Sequence, residues 1–282
     1  RIPVILDVQD LWPLFLVEMG LKSRLAVGYM NWVADLMYGS ASGIACVSDG
    51  MAQYVRSRVG TKHIWVSPLG VNFDEYSRQK LDPQIVEGKP WRDNMKIMYL
   101  GAHGRANDLL SVLTTVKEVN QLLVGQSLKR PVSFIFVGDG EQKATLVDYA
   151  KQHSLMNVFF EDAVPSKEVP AYLRHADVCL TNLMKIDSFK LVRPNKLFQY
   201  MALGKPIISG IAGEFQRIIE DVDSGIYVDF TRPKDAAHKI VELISDADRL
   251  KEMGKNGVEY IRRFGDRRQI FSEFWERVNR VL

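Results

Sequence analysis

Only two of the 282 residues are cysteine, Cys46 and Cys179, and each lies inside a short apolar run. A disulfide framework is excluded, and a reducing compartment, the cytoplasm, is expected. No uninterrupted apolar run approaches the roughly 18 residues of a membrane span, and residues 1–10 lack the charged-then-apolar plan of a signal peptide. The chain is expected to be soluble or peripheral. Charge of one sign is scarce too: 37 Lys and Arg against 34 Asp and Glu leave +3, too little to neutralise a nucleic-acid backbone. No nucleic-acid partner is expected. His63, His153, His175 and His238 have no ligand spacing with one another or with the cysteines, so no metal site is assigned.

What is present is the composition of a globular protein, 46% hydrophobic and 25% charged, with a length that suggests two domains. Ile2 to Val8 is a continuous apolar run ending in Asp-Val-Gln-Asp, the pattern of a strand buried on both faces whose polar residues begin at its carboxyl end. A helix carrying Leu25, Tyr29, Trp32, Val33 and Leu36, a strand Ile44 to Val47, a helix capped by Ser48 or Asp49 and a strand Ile64 to Ser67 follow. Residues 77–94 are polar and contain Pro83, Gly88 and Pro90, the character of an interdomain linker, with the boundary near 88. Strand and helix then alternate again from Lys96 to Val228, and three helical stretches close the chain. Such alternation builds a doubly wound parallel α/β sheet, whose ligands bind beyond the carboxyl ends of the strands.

Two glycine motifs, Gly101-Ala-His103-Gly104 and Gly138-Asp-Gly140, each follow a strand. They read either as turns that bring backbone N–H groups to a ligand or as tight turns that need glycine for geometry alone. Arg193-Pro-Asn195-Lys196-Leu-Phe-Gln199 opens a helix that Gly204 ends. A helix start offers free N–H groups and partial positive charge to a phosphate, with Arg193 and Lys196 adding full charges. Gln199 shares the face of Asn195 and Lys196, where its amide can bond a sugar hydroxyl. An ordinary amphipathic helix with a solvated basic end is the plainer reading.

With these motifs quoted, the chain resembles the retaining glycosyltransferases of family four, of the bacterial surface-polysaccharide type with the two-lobed GT-B fold. The matching stretches are Asp7-Val-Gln-Asp-Leu-Trp-Pro13, Pro68-Leu-Gly-Val-Asn-Phe73, Tyr99-Leu-Gly-Ala-His-Gly104, Phe136-Val-Gly-Asp-Gly140 and Pro194-Asn-Lys-Leu-Phe-Gln-Tyr-Met-Ala-Leu-Gly-Lys-Pro206. The resemblance implies two Rossmann-like lobes: residues 1–88, joined by the C-terminal helix 266–282, on the acceptor side, and residues 89–265 binding a nucleotide-sugar, a UDP-sugar. It implies transfer of a hexosyl or N-acetylhexosaminyl group to a glycan or lipid-linked acceptor with retention, and no cofactor beyond the donor. By position, Gly101, His103, Gly104 and Arg105 would line the diphosphate, with Gly138 and Gly140 beside them. Arg193, Asn195 and Lys196 would lie near the phosphates, Gln199 at the ribose, Ala163 and Val164 at the base, and Gly213-Glu214 at a helix start near the donor. Asp10 would orient or deprotonate the acceptor hydroxyl, Asp7 less so, and His103 would contact donor phosphate or sugar.

Two departures stand out. Positions 191 and 199, where the family often carries paired glutamates, hold Leu191 and Gln199. The chain also enters the family pattern inside the first lobe, so that lobe is expected to be incomplete. A nucleotide-sugar 2-epimerase and a non-catalytic nucleotide-binding paralogue are the alternatives. Lys22 and Arg24 before the Trp32 helix, and Arg262, Arg263, Arg267 and Arg268 near the end, suggest peripheral contact with the inner face of the membrane, against the plainer reading of Trp32 as core and the arginines as a solvated face. Phe271, Phe274, Trp275 and Val278 are expected to pack the last helix on the first lobe.

Overall fold

The computed structural model describes residues 2–60, 63–126 and 128–281. The chain runs β1 (Ile5–Val8), α1 (Leu14–Glu18), α2 (Arg24–Ser40), β2 (Gly43–Cys46), α3 (Asp49–Val59), β3 (His63–Val66) and α4 (Phe73–Ser77). It continues with β4 (Met95–Leu100), α5 (Leu109–Leu123), β5 (Val132–Val137), α6 (Lys143–Gln152), β6 (Val158–Glu161), α7 (Val169–Arg174) and β7 (Val178–Thr181). Then come α8 (Lys196–Ala202), β8 (Ile207–Ser209), α9 (Glu214–Asp221), β9 (Gly225–Tyr227), α10 (Pro233–Ser245), α11 (Ala247–Phe264) and α12 (Arg267–Asn279).

Two all-parallel sheets result. The first is β1-β2-β3, and the second has six strands in the order β6-β5-β4-β7-β8-β9. The second order is that of dinucleotide-binding sheets: the chain winds outward from β4 through β5 and β6, then returns to the far side of β4 with β7. The crevice beyond the carboxyl ends of β4 and β7, where the winding reverses, is where such a sheet receives a ligand. β2, β5 and β7 are buried along their whole length, which is why they read as unbroken apolar runs. Cys46 and Cys179 lie in β2 and β7 as free, buried thiols.

Residues 77–94 differ from the expected linker. Val86 and Trp91 are buried with Val71 and Tyr76 in the core cluster of the second sheet. Trp91 Nε1 donates to Glu161 Oε1 at 3.1 Å and Lys89 Nζ to Glu161 Oε2 at 2.5 Å. A polar composition hid this because one buried indole and one carboxylate anchor the whole segment. At the other end the chain crosses back: Val71 N–H donates to the Gly265 carbonyl and Arg267 N–H to the Val71 carbonyl, both at 2.9 Å. α12 then covers β3, with Phe274 against Trp65 and Val278 buried beside Ala45. Phe271 and Trp275, expected to pack as well, are largely exposed on its outer face.

α2 buries only Ala34 and Tyr38. Trp32 is 60% exposed and Leu25 88%, so the expectation that Trp32 belongs to the core does not hold. The arginines near the end are engaged instead of forming a free basic patch. Arg262 and Arg263 pair with Glu259, Arg268 with Asp266 and Asp74, and Arg267 donates to the carbonyls of Leu69 and Gly70.

Candidate functional site

At the carboxyl ends of β4 and β5 the two glycine turns interlock. Gly101 N–H donates to the Val137 carbonyl at 2.9 Å, His103 N–H to Asp139 at 2.8 Å, and Gln142 N–H to His103 at 2.9 Å. A Cβ on Gly138 would stand 1.9 Å from the Gly101 carbonyl oxygen, and one on Gly140 2.7 Å from the His103 carbonyl carbon. These positions need glycine for the packing of backbone on backbone, whatever else passes above them. Gly138 is itself buried and Gly140 exposed.

His103 lies deeper in the turn. Its ring is fully buried beside Tyr99, Phe160 and Gly138, and neither ring nitrogen has a partner among the described residues. Burial, reinforced by the positive charges of Lys143 and Lys196, lowers its pKa to about 4. The second glycine turn closes over the first, and that is what encloses the ring.

Above the Gly101 turn sits Lys196, the first residue of α8. Its Nζ is 4.1 Å from the centre of the Tyr99 ring, and a Cβ on Gly101 would stand 2.5 Å from it. The Tyr99 hydroxyl in turn donates to the Ala102 carbonyl at 2.7 Å, tying the ring to the turn. Among the described residues no carboxylate pairs with Lys196, and desolvation lowers its pKa to about 8. By contrast Lys143 is matched, donating to Asp162 Oδ1 at 2.9 Å and the Glu161 carbonyl at 3.1 Å. Asn195 lies next to Lys196 with its Oδ1 buried and unpartnered. An unmatched ammonium and an orphaned amide oxygen at the reversal of a doubly wound sheet form a site suited to an anion that also offers hydrogen-bond donors.

Other expected residues lie at varying distances from this centre. Gly104 and Arg105 begin a short 3-10 turn, with Arg105 N–H donating to Glu141 and its side chain exposed. Ala163 and Val164 follow β6, Ala163 exposed and Val164 half-buried against the core. Gln199 is half-buried, beside the side chain of Tyr76. Arg193 and Glu214 are bonded to each other, by Arg193 Nε at 2.8 Å and a second, shorter contact, and Arg193 reaches Asp49 Oδ2 at 3.4 Å. Both are engaged, with each other and with the first turn of α3 from the first sheet. Pro194 stands before the helix instead of inside it, since α8 begins at Lys196. Tyr76, Tyr99, Lys143 and Glu18 were not singled out from the sequence; only the strand period ending at Tyr99 carries a signal that could have found one of them.

On the first sheet, Asp10 is exposed at the carboxyl end of β1 and lines a cavity of about 380 Å³ with Asp7, Gln9, Trp12, Met37 and Tyr38. No described side chain constrains its carboxylate.

The family model for glycosyl transferases group 1 matches residues 92–260, more than half of the chain. Spore coat protein SA of Bacillus subtilis is 27% identical over 264 residues, covering 86% of this chain and 64% of that protein. TuaH of the same organism, whose name assigns it provisionally to teichuronic acid biosynthesis as a glycosyltransferase, is 25% identical, covering 73% of this chain and 49% of that one. The chain thus spans less than two thirds of the length of either relative. Among solved structures, Anabaena Alr3699/HepE, crystallised with UDP and glucose, superposes with a TM-score of 0.79 at 14% identity, covering 98% of this chain and 71% of that one. The likeness establishes the fold, GT-B.

Proposed function

The chain belongs to the group 1 glycosyl transferases, and we propose that it moves a sugar from a nucleotide-diphosphate donor, a UDP-sugar, to a glycan or lipid-linked acceptor with retention. The observation that carries this reading is Lys196: a desolvated ammonium without a carboxylate, set over a glycine turn at the reversal of a dinucleotide-type sheet. Charge develops on the leaving diphosphate as the glycosidic bond breaks, and a cation already stripped of water stabilises it without reorganising. Gly101, Gly104, Arg105 and Asn195 would join Lys196 around the donor, and Ala163 and Val164 would meet the base. Asp10 is the group proposed to orient the acceptor hydroxyl from across the cleft. UDP is favoured because HepE, which shares the fold, was crystallised with it.

A role in surface-polysaccharide assembly is supported by the spore-coat and teichuronic-acid relatives. Work at the inner face of the cell membrane is supported by the exposed Leu25, Tyr29, Trp32 and Leu36, which recur at helical spacing along α2 beyond Lys22 and Arg24. Among the described residues no helix is long and apolar enough to cross a membrane.

Thermal unfolding with UDP, GDP and ADP in turn tests the donor site. At about 100 times its dissociation constant a ligand that binds only the folded state adds roughly 2.7 kcal/mol. Stabilisation by UDP alone, lost in Lys196→Ala, is expected; equal indifference to all three nucleotides rejects the reading.

A further inference from the structure

The strip from Ser188 to Arg193 follows β7 of the six-stranded sheet, yet its contacts are divided between both sheets. On its own side it lies so close to Gly213 that a Cβ there would stand 2.2 Å from the Lys190 carbonyl oxygen. Toward the other side, Leu191 and Val192 pack against the core of the three-stranded sheet, and Phe189 stacks on Phe15 of α1 at 6.5 Å. A Cβ on Gly50 would meet Leu191 Cδ2 at 2.9 Å. Leu191 is thus an apolar peg between the two sheets.

The polar contacts across this seam are reciprocal. Glu18, at the end of α1, accepts the Ser188 N–H at 2.9 Å. Glu214, at the start of α9, accepts the N–H groups of Gly50 at 3.1 Å and Asp49 at 3.4 Å, the first turn of α3. The N-cap hydroxyl of α3, Ser48 Oγ, donates to the Leu191 carbonyl at 2.5 Å. Each sheet therefore presents a carboxylate to free N–H groups of the other, and Arg193 supplies the full positive charge that Glu214 needs at 4% exposure. Removing the α3 donors leaves that carboxylate short of partners, so the seam is costly to part at this point.

We propose that Glu214 and Glu18 form a two-point clasp that holds the two sheets in their closed arrangement, with Glu214 as the positioning residue for Arg193. Opening parts Arg193 and Glu214 together from Asp49 and the N–H groups of α3, and so couples the spacing of the sheets to the charges around a pair that begins three residues before Lys196. The clasp stands on contacts within the chain and does not depend on the donor reading.

Gln53→Cys on α3 and Arg217→Cys on α9 place spin labels at exposed positions, and the native cysteines are buried. Distances read by pulsed electron paramagnetic resonance without nucleotide leave the donor reading out of the outcome. The labelled parent is expected to give one narrow distribution. Glu18→Ala and Glu214→Ala should each add a longer population, and the double variant should be mainly long. Glu214→Gln keeps an oxygen for the α3 N–H groups but loses the charge for Arg193, and should give a smaller long fraction than Glu214→Ala. Glu18 is half-buried, so Glu18→Ala keeps the test open if Glu214→Ala does not fold. An unchanged narrow distribution in every variant that unfolds cooperatively, or a broad one already in the parent, overturns the clasp.

Discussion

Lys196 Nζ lies over the face of Tyr99, 4.1 Å from the ring centre, and that ring takes the place a carboxylate holds beside most buried lysines. A cation–π contact contributes about 0.5–2 kcal/mol, too little to offset the desolvation of an ammonium, which is why the pKa falls to about 8. Among the described residues no carboxylate compensates the ammonium.

Gly138→Ala tests the interlock of the two turns. The new Cβ would stand 1.9 Å from the Gly101 carbonyl oxygen, at a φ of +148° that L residues rarely adopt. A loss of at least about 2 kcal/mol in denaturant unfolding is expected, from backbone strain and overpacking together. Gly125→Ala also has a positive φ, but its Cβ meets nothing within 4 Å, so it should cost less and serves as the control.

Acid should weaken the fold through His103. Its pKa is about 4 in the folded chain against the 6.5 of a free imidazole, so between those values the unfolded chain binds more protons. Stability therefore falls as pH drops through that window, by up to about 3 kcal/mol, and is unaffected by His103 above it. In His103→Leu the pH dependence between 6.5 and 4 should be shallower; an identical slope would mean that another group carries it.

Much of this architecture is readable from residues alone, because strands buried on both faces leave unbroken apolar runs. The alternation read from Lys96 to Val228 is such a case, and Asp-rich or Gly-rich stretches follow the carboxyl ends of strands in both sheets. What escapes is contact between distant segments. Nothing local in Leu191 indicates that Gly50, at the start of α3, leaves room for it. Arg193 and Glu214 read correctly as charges near a helix start, but the helix whose N-terminus they hold is α3. Trp91 escapes because a short polar segment with one anchor has no period to detect.

The α2 face makes a separate prediction for location. Leu25→Glu combined with Trp32→Glu alters residues that are 88% and 60% exposed, so stability should change by no more than about 0.5 kcal/mol per site. Co-sedimentation with vesicles of anionic lipid should fall roughly tenfold or more, as expected when two apolar anchors are lost. Equal sedimentation of both proteins would remove α2 as a membrane contact.

The most direct measurement is the dissociation constant of UDP against pH from about 7 to about 8.5, in the parent chain and in Lys196→Ala. The second ionisation of a phosphate lies near pH 6 and the uracil N3–H ionises only above this range, so the ligand's charge changes little across it. Since the free ammonium titrates at about 8, affinity in the parent should decline as pH rises through that value, while Lys196→Ala binds more weakly throughout and shows a flat profile. Parallel profiles of equal affinity would contradict Lys196 as the seat of the diphosphate.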